Sequence, residues 1–231
     1  MISHQDIPAA IKDFCDACSQ RLRGLKDYTD CIDLARNELP RLLLDRTLMT
    51  RLMKNIAAGT GYPDVRVPTM FDNELILYLE QTRLYSLRMY LWGPGEYTAP
   101  HDHNSWGVIG TVSAGFEVIN YRRDDDGSRA GHARLAEKET MELKPGQTAS
   151  TLPLDQGIHK TGNPTRGTII TLSIYGRPLD RGYLQGFDVA DNRVYRILPP
   201  KHKKMYLAAE ALKDLKIGQD TASNRIDLGV C

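Results

Sequence analysis

Between about position 6 and position 57 the apolar residues recur at intervals of three and four: Ile7, Ile11, Phe14, Cys18 and Leu22 fall on one stripe, and Leu34, Leu39, Leu43 and Leu48 follow less regularly. That period is helical, and the span predicts two or three helices. The segment from Gly59 to Pro68 is rich in glycine and proline and breaks the pattern. Beyond it the period changes. Short runs rich in Val, Ile, Thr and Tyr (ELILYLEQ, LYSLRMYLW, WGVIGTV, FEVINYRR, ARLAEKETMEL, QTASTL, TIITLSIYG) alternate with the turn signals GPGE, DDDG, KPGQ and GNPTRG. Many short strands between tight turns predict a sandwich or barrel of jelly-roll type. NRVYRIL reads as a last strand, and KHKKMYLAAEALKDL as a helix offering Met205, Leu207, Leu212 and Leu215 for burial. The expected organisation is an N-terminal helical segment (1–58) packed on a barrel (64–200), followed by a helix and tail (201–231).

Composition narrows the function classes. A chain of 231 residues can bury a sizeable core without staples. Its 30 Lys+Arg against 29 Asp+Glu give no electrostatic pull toward nucleic acid or an anionic membrane, so a small-molecule ligand is the natural partner. Cys15, Cys18, Cys31 and Cys231 are irregularly spaced and offer no disulfide framework, which points to a reducing compartment. The start MISHQDIPAA lacks the basic and apolar stretches of a signal peptide, and no run approaches ~20 uninterrupted apolar residues. The expectation is a soluble cytoplasmic protein, and no motif speaks to its oligomeric state.

The candidate chemistry lies in six histidines. His101 and His103 are two residues apart in a region flanked by strands, so both imidazoles should point to one face and can converge on one metal at ~2.0–2.1 Å. His159, in LPLDQGIHKTGNP, is the candidate third ligand, brought opposite the first pair by closure of a barrel. His4, His132 and His202 read as solvated.

The residues around these histidines resemble the two cupin motifs. Gly95, His101, His103 and Gly115 match a first motif of Gly, five residues, His-x-His, then Glu and a later Gly, but Gly107 or Val108 stands at the Glu position. Gly146, Pro153, Gly157, His159 and Asn163 resemble the second motif, with its early members spread further apart. Loss of the acidic ligand matters, because three neutral imidazoles leave the full 2+ charge on an ion and favour anionic ligands such as a thiolate. Imidazole suits iron, zinc, copper and nickel alike.

The resemblance extends, over roughly residues 74 to 178, to the thiol dioxygenases, namely cysteine dioxygenase and the bacterial 3-mercaptopropionate dioxygenases. It implies a cupin double-stranded β-helix, iron(II) on His101, His103 and His159, and a small thiol and O2 as substrates giving a sulfinic acid. The family tyrosine after the last barrel strand matches Tyr175, and its Ser-x-His-x-Tyr relay becomes Thr171, Ser173 and Tyr175, with Ser173 in the histidine's place. The cysteine that crosslinks to this tyrosine in animal enzymes has no counterpart at Gly107 or Val108. The family's carboxylate-gripping arginine is replaced within Tyr78-Leu79-Glu80. Arg83, Arg88, Arg177 and Arg181 are the substitutes, Arg177 foremost because it stands two residues beyond Tyr175.

Other features read as structural. Cys15-Asp-Ala-Cys18 lacks the further ligands of a zinc site, the run Lys201-His202-Lys203-Lys204 is a solvated helix start, and Trp92 and Trp106 wall the pocket or fill the barrel. The rival readings are a metal- or ligand-binding sensor without turnover, and an oxygenase or isomerase acting on a non-thiol substrate.

Overall fold

The early helical spacing resolves into α1 (Ala9–Leu22), α2 (Tyr28–Glu38), the single turn α3 (Pro40–Leu43) and α4 (Arg46–Ala58). The structure, a computed structural model, describes residues 7–226, with side chains described as far as residue 215. His4, Cys231 and the tail beyond residue 226 lie outside the described residues. Asp27 and Asp45 cap α2 and α4 by accepting the Thr29 N–H at 2.7 Å and the Leu48 N–H at 2.9 Å, which satisfies donors a helix start leaves over. Helix α4 ends where Gly59 takes a left-handed φ of 65°.

Ten strands follow: β1 (Glu74–Leu79), β2 (Tyr85–Trp92), β3 (Gly107–Thr111), β4 (Phe116–Arg123), β5 (Leu135–Leu143), β6 (Thr148–Thr151), β7 (His159–Gly162), β8 (Ile169–Gly176), β9 (Leu184–Asp188) and β10 (Arg193–Ile197). A five-stranded sheet has the order β1-β2-β8-β3-β6, and the pairings β5-β4-β7 and β10-β9 lie apart from it. His101 joins those two groups by bridging both His159 and Gly186, so the chain folds as two sheets. Tyr90, Trp92, Ile109 and Ile169 of the larger sheet meet Phe116, Val118 and Leu143 of the other in a core between them. This is the predicted jelly roll. The strand β9 was not legible, because LQGFD is short, carries a glycine and shows no alternation of its own.

The outer face of the larger sheet carries the second half of the core. Leu77, Leu87, Met89, Leu172 and Ile174 alternate with the inward residues of their strands and pack against Ile11, Phe14, Leu39, Leu43 and Leu52 from the helices. A hydrogen bond ties the two layers: the buried Tyr85 hydroxyl donates to the Cys15 carbonyl at 2.8 Å. Trp106 belongs to this outer core and Trp92 to the inner one, so only Trp92 lines the pocket.

The C-terminal helix α5 (Pro200–Ile226) differs from expectation. Met205, Leu207, Leu212 and Leu215 stand in solvent, the last 66% exposed, because the outer face of the larger sheet is already covered by α1 to α4. None of the helices described is long and apolar enough to cross a membrane.

Leu87→Ala should lower unfolding stability by about 2–5 kcal/mol through the cavity it leaves, whereas Leu212→Ala should change it by no more than about 0.5 kcal/mol. Urea denaturation of the two variants checks the contrast.

Candidate metal centre

His101 and His159 are direct pairing neighbours. The His101 N–H donates to the His159 carbonyl at 2.9 Å and the His159 N–H donates back to the His101 carbonyl at 3.0 Å. Residues paired in this way present their side chains on one face. The sequence expectation had His159 reaching the pair from across the barrel; it sits on the adjacent strand instead. His103, two residues on, completes the group, and the ligating nitrogens of all three lie within 4.8 Å of one another. Ring centroids are 4.7–5.0 Å apart, and the Nε2 atoms of His103 and His159 are separated by 2.9 Å. His101 Nδ1 lies 2.9 Å from the Ala99 carbonyl, which leaves Nε2 to face its neighbours. Three buried imidazoles converging in this manner can hold one divalent ion.

Burial keeps these rings neutral. Loss of hydration pushes all three below the ordinary histidine range, and for His103 the repulsion of His159 and His101 adds to it. A neutral imidazole is the form that ligates a metal.

Asp102 lies between the two ligands and turns to the other side, as strand alternation requires. Its fully buried carboxylate accepts from the Arg181 guanidinium and the Gln185 N–H, both at 2.7 Å. Arg181 also donates to Asn104 Oδ1 at 2.6 Å, while Asn104 returns hydrogen bonds to the Arg181 and Tyr183 carbonyls. The segment 179–185 is thereby strapped onto the turn that carries the ligands. No feature of the sequence announced this role for Asp102 beyond its place inside His-x-His.

Tyr175 stacks on His103, with centroids 5.6 Å apart and planes at 19°. Position 107 is opposite it in the β3–β8 ladder, and a Cβ there would lie 2.7 Å from the phenol ring, so the ring occupies space that only glycine leaves open. Burial raises the phenol's pKa, against the influence of the Ser173 and Tyr90 hydroxyls, and Tyr175 holds its proton at neutral pH. Ser173 is fully buried and its Oγ has no hydrogen-bond partner among the described residues. Thr171, the third residue of the expected relay, is occupied by the Trp92 indole N–H at 3.0 Å.

The arginine placed first by the sequence is not at the site. Strand β8 ends at Gly176, so alternation no longer carries Arg177 to the side of Tyr175; Arg177 is exposed, reaches the Thr82 carbonyl at 3.5 Å and is absent from the cavity wall. Arg88 on β2 is present instead. It pairs with the buried Glu74, donates through Nε to Ser86 Oγ at 3.0 Å, and sits 5.8 Å from the Tyr175 ring centroid. Its Nη2 makes no hydrogen bond among the described residues. Arg83 and Arg181 also line the cavity, which opens above the histidines with a volume of about 1160 Å³. Of the remaining histidines, His132 is partly buried near Asp125, and His202 stands at the cavity rim. Cys15 and Cys18 are buried, and burial pushes both thiols up to about 12, so neither is a nucleophile.

Two β-sheets in jelly-roll order, with His-x-His entering one of them and a third histidine on the paired strand, decide the architecture. The chain has a cupin fold. No family model matches it. Solved structures to which the cupin barrel is similar include a cupin-2 domain of an XRE-family transcriptional regulator from Enterobacter cloacae (16% identity over 46% of this chain and 96% of that one, TM-score 0.32). A cupin 2 conserved barrel domain protein from Rhodopseudomonas palustris overlaps at 14% identity over 52% and 68%, with TM-score 0.37. An oxalate oxidase in complex with the substrate analogue glycolate overlaps at 13% identity over 49% and 54%, with TM-score 0.35. These overlaps are distant, and the cupin architecture stands on the strand order and the placing of the histidines.

Purified protein should bind one divalent ion per chain, and His159→Ala should lose it while His132→Ala retains it, as read by elemental analysis after dialysis against limiting metal. The pH dependence has a definite sign. Below about 6.5 the unfolded histidines take up protons that the folded ones refuse. Chelator-treated protein should therefore lose stability as pH falls below that value, and bound metal should move the loss to lower pH; denaturant titrations across pH 5–8 measure both.

Proposed function

We propose that this chain is an iron(II)-dependent dioxygenase that converts a small thiol and O2 to a sulfinic acid. The observation that carries the reading is the meeting of three buried, neutral imidazoles at the floor of a cavity, with no carboxylate among them. A donor set without charge leaves an ion its whole 2+ charge and favours a thiolate over a neutral ligand. The chemistry of the donor set fits iron, which when bound would supply a Lewis-acidic, redox-active centre for acidifying the thiol and reducing O2.

The chain's own residues supply orientation. Arg88 lines the cavity with its Nη2 without a hydrogen bond among the described residues, and a guanidinium is the group that matches a carboxylate on the substrate. The Tyr175 phenol, protonated and held flat against His103, can donate a hydrogen bond to an anionic oxygen above the histidines. Ser173, two residues back on the same face of β8, has a buried Oγ without a partner among the described residues and is available to a ligand or to the phenol. The burial of Cys15, Cys18 and Cys31 as free thiols fits a reducing, cytoplasmic setting.

Protein loaded with iron should consume O2 with 3-mercaptopropionate, cysteine or mercaptosuccinate and yield the sulfinate, identified by mass spectrometry. Cysteamine, which has no carboxylate, separates recognition by Arg88 from the reaction itself. Because Arg88→Met alone would strand the buried Glu74 carboxylate, the pair is replaced together as Arg88→Met with Glu74→Gln. The double variant should raise KM for carboxylate thiols about 10-fold or more, in line with a charge-assisted hydrogen bond, and leave cysteamine unaffected. Absence of O2 uptake with every thiol at full iron occupancy would remove the dioxygenase reading and favour a ligand-binding cupin without turnover.

A further inference from the structure

The cavity is larger than the reaction proposed above requires. At about 1160 Å³ it exceeds the roughly 300–1000 Å³ of pockets that enclose drug-sized ligands, and a three-carbon thiol at the histidines would leave most of it filled by water. Its outer part is a groove along the inner side of β1. A regular strand would point Leu79 away from Ile76, out toward the helices. The β-bulge between Ile76 and Tyr78 reverses this: Tyr78 packs with the helical core and Leu79 returns to the cavity wall. Met70, Phe71 and Leu184 line the same cavity.

The charged groups beside Ile76 and Phe71 are engaged with one another, while Gln81 and Arg83 at the end of β1 have no side-chain partner among the described residues. Glu74 accepts from the Met70 and Phe71 N–H groups at 2.9 and 3.2 Å, from the Tyr90 hydroxyl at 3.3 Å and from Arg88. Arg181 is held by Asp102 and Asn104. An alkyl chain along Ile76, Leu79, Met70 and Phe71 would strip water from apolar walls and leave the Glu74 and Arg181 pairings intact.

We infer that the substrate is a mercaptocarboxylate bearing an apolar extension: the sulfur end at the three histidines, the carboxylate on Arg88, and an alkyl or aryl tail along Ile76, Leu79, Met70, Phe71 and Leu184. The sulfur end rests on the function proposed above. The tail groove does not.

The test uses straight-chain carboxylates without sulfur, from propionate to octanoate, titrated calorimetrically into the metal-loaded full chain, with O2 uptake on 3-mercaptopropionate followed in parallel. Affinity should rise about three- to fourfold per added methylene. Leu79→Asp and Ile76→Asp should each flatten that series, with metal content reporting that the barrel is intact. Chain-length dependence without thiol oxidation supports the groove and refutes only the dioxygenase reading. Octanoate binding no tighter than propionate, or a series unchanged in both variants, overturns the proposal.

Discussion

Two backbone hydrogen bonds between His101 and His159 set the geometry on which the centre depends. They bring together residues far apart in the chain and place both side chains on one face, while the neighbouring Pro100 carbonyl and Asp102 N–H pair with Phe187 and Gln185 of β9. A second junction, the His132–Arg193 bridge, ties β10 to the segment ahead of β5. One short segment, Pro100–Asp102, thus carries a candidate ligand and pairs with both β7 and β9.

Electrostatics at the centre follows from which way each residue turns. The carboxylate nearest in sequence, Asp102, faces away from the imidazoles and is neutralised by Arg181; the carboxylate nearest along the cavity wall, Glu74, is neutralised by Arg88. Negative charge is therefore present on both sides of the histidines but paired before it reaches them. What lines the open space near the candidate centre is a set of neutral rings, a protonated phenol and Arg88, already paired with Glu74.

Much of this was legible in the sequence. The change from helical spacing to short alternating runs at Gly59–Pro68 marked the passage from helices to barrel, and the three histidines stood out by number and spacing. Other features were beyond its reach for physical reasons. Arg177 and Arg88 are alike in type and each near a site residue, and only the end of β8 at Gly176 decides between them. Strand β9 has no pattern of its own because its order comes from β10 and from His101. Met205, Leu212 and Leu215 have the spacing of a buried face, yet the apolar outer face of the larger sheet is already taken by α1 to α4. Periodicity states what a segment can bury, and only the assembled layers decide whether it does.

The strap over residues 179–185 and the turn beneath the candidate centre hold one another in place. Its anchors, Asp102 and Asn104, belong to the turn that carries His101 and His103. The strap, Asp102, Asn104 and two of the three histidines therefore form one hydrogen-bonded unit, so a substitution that frees the strap also loosens the turn on which His101 and His103 stand.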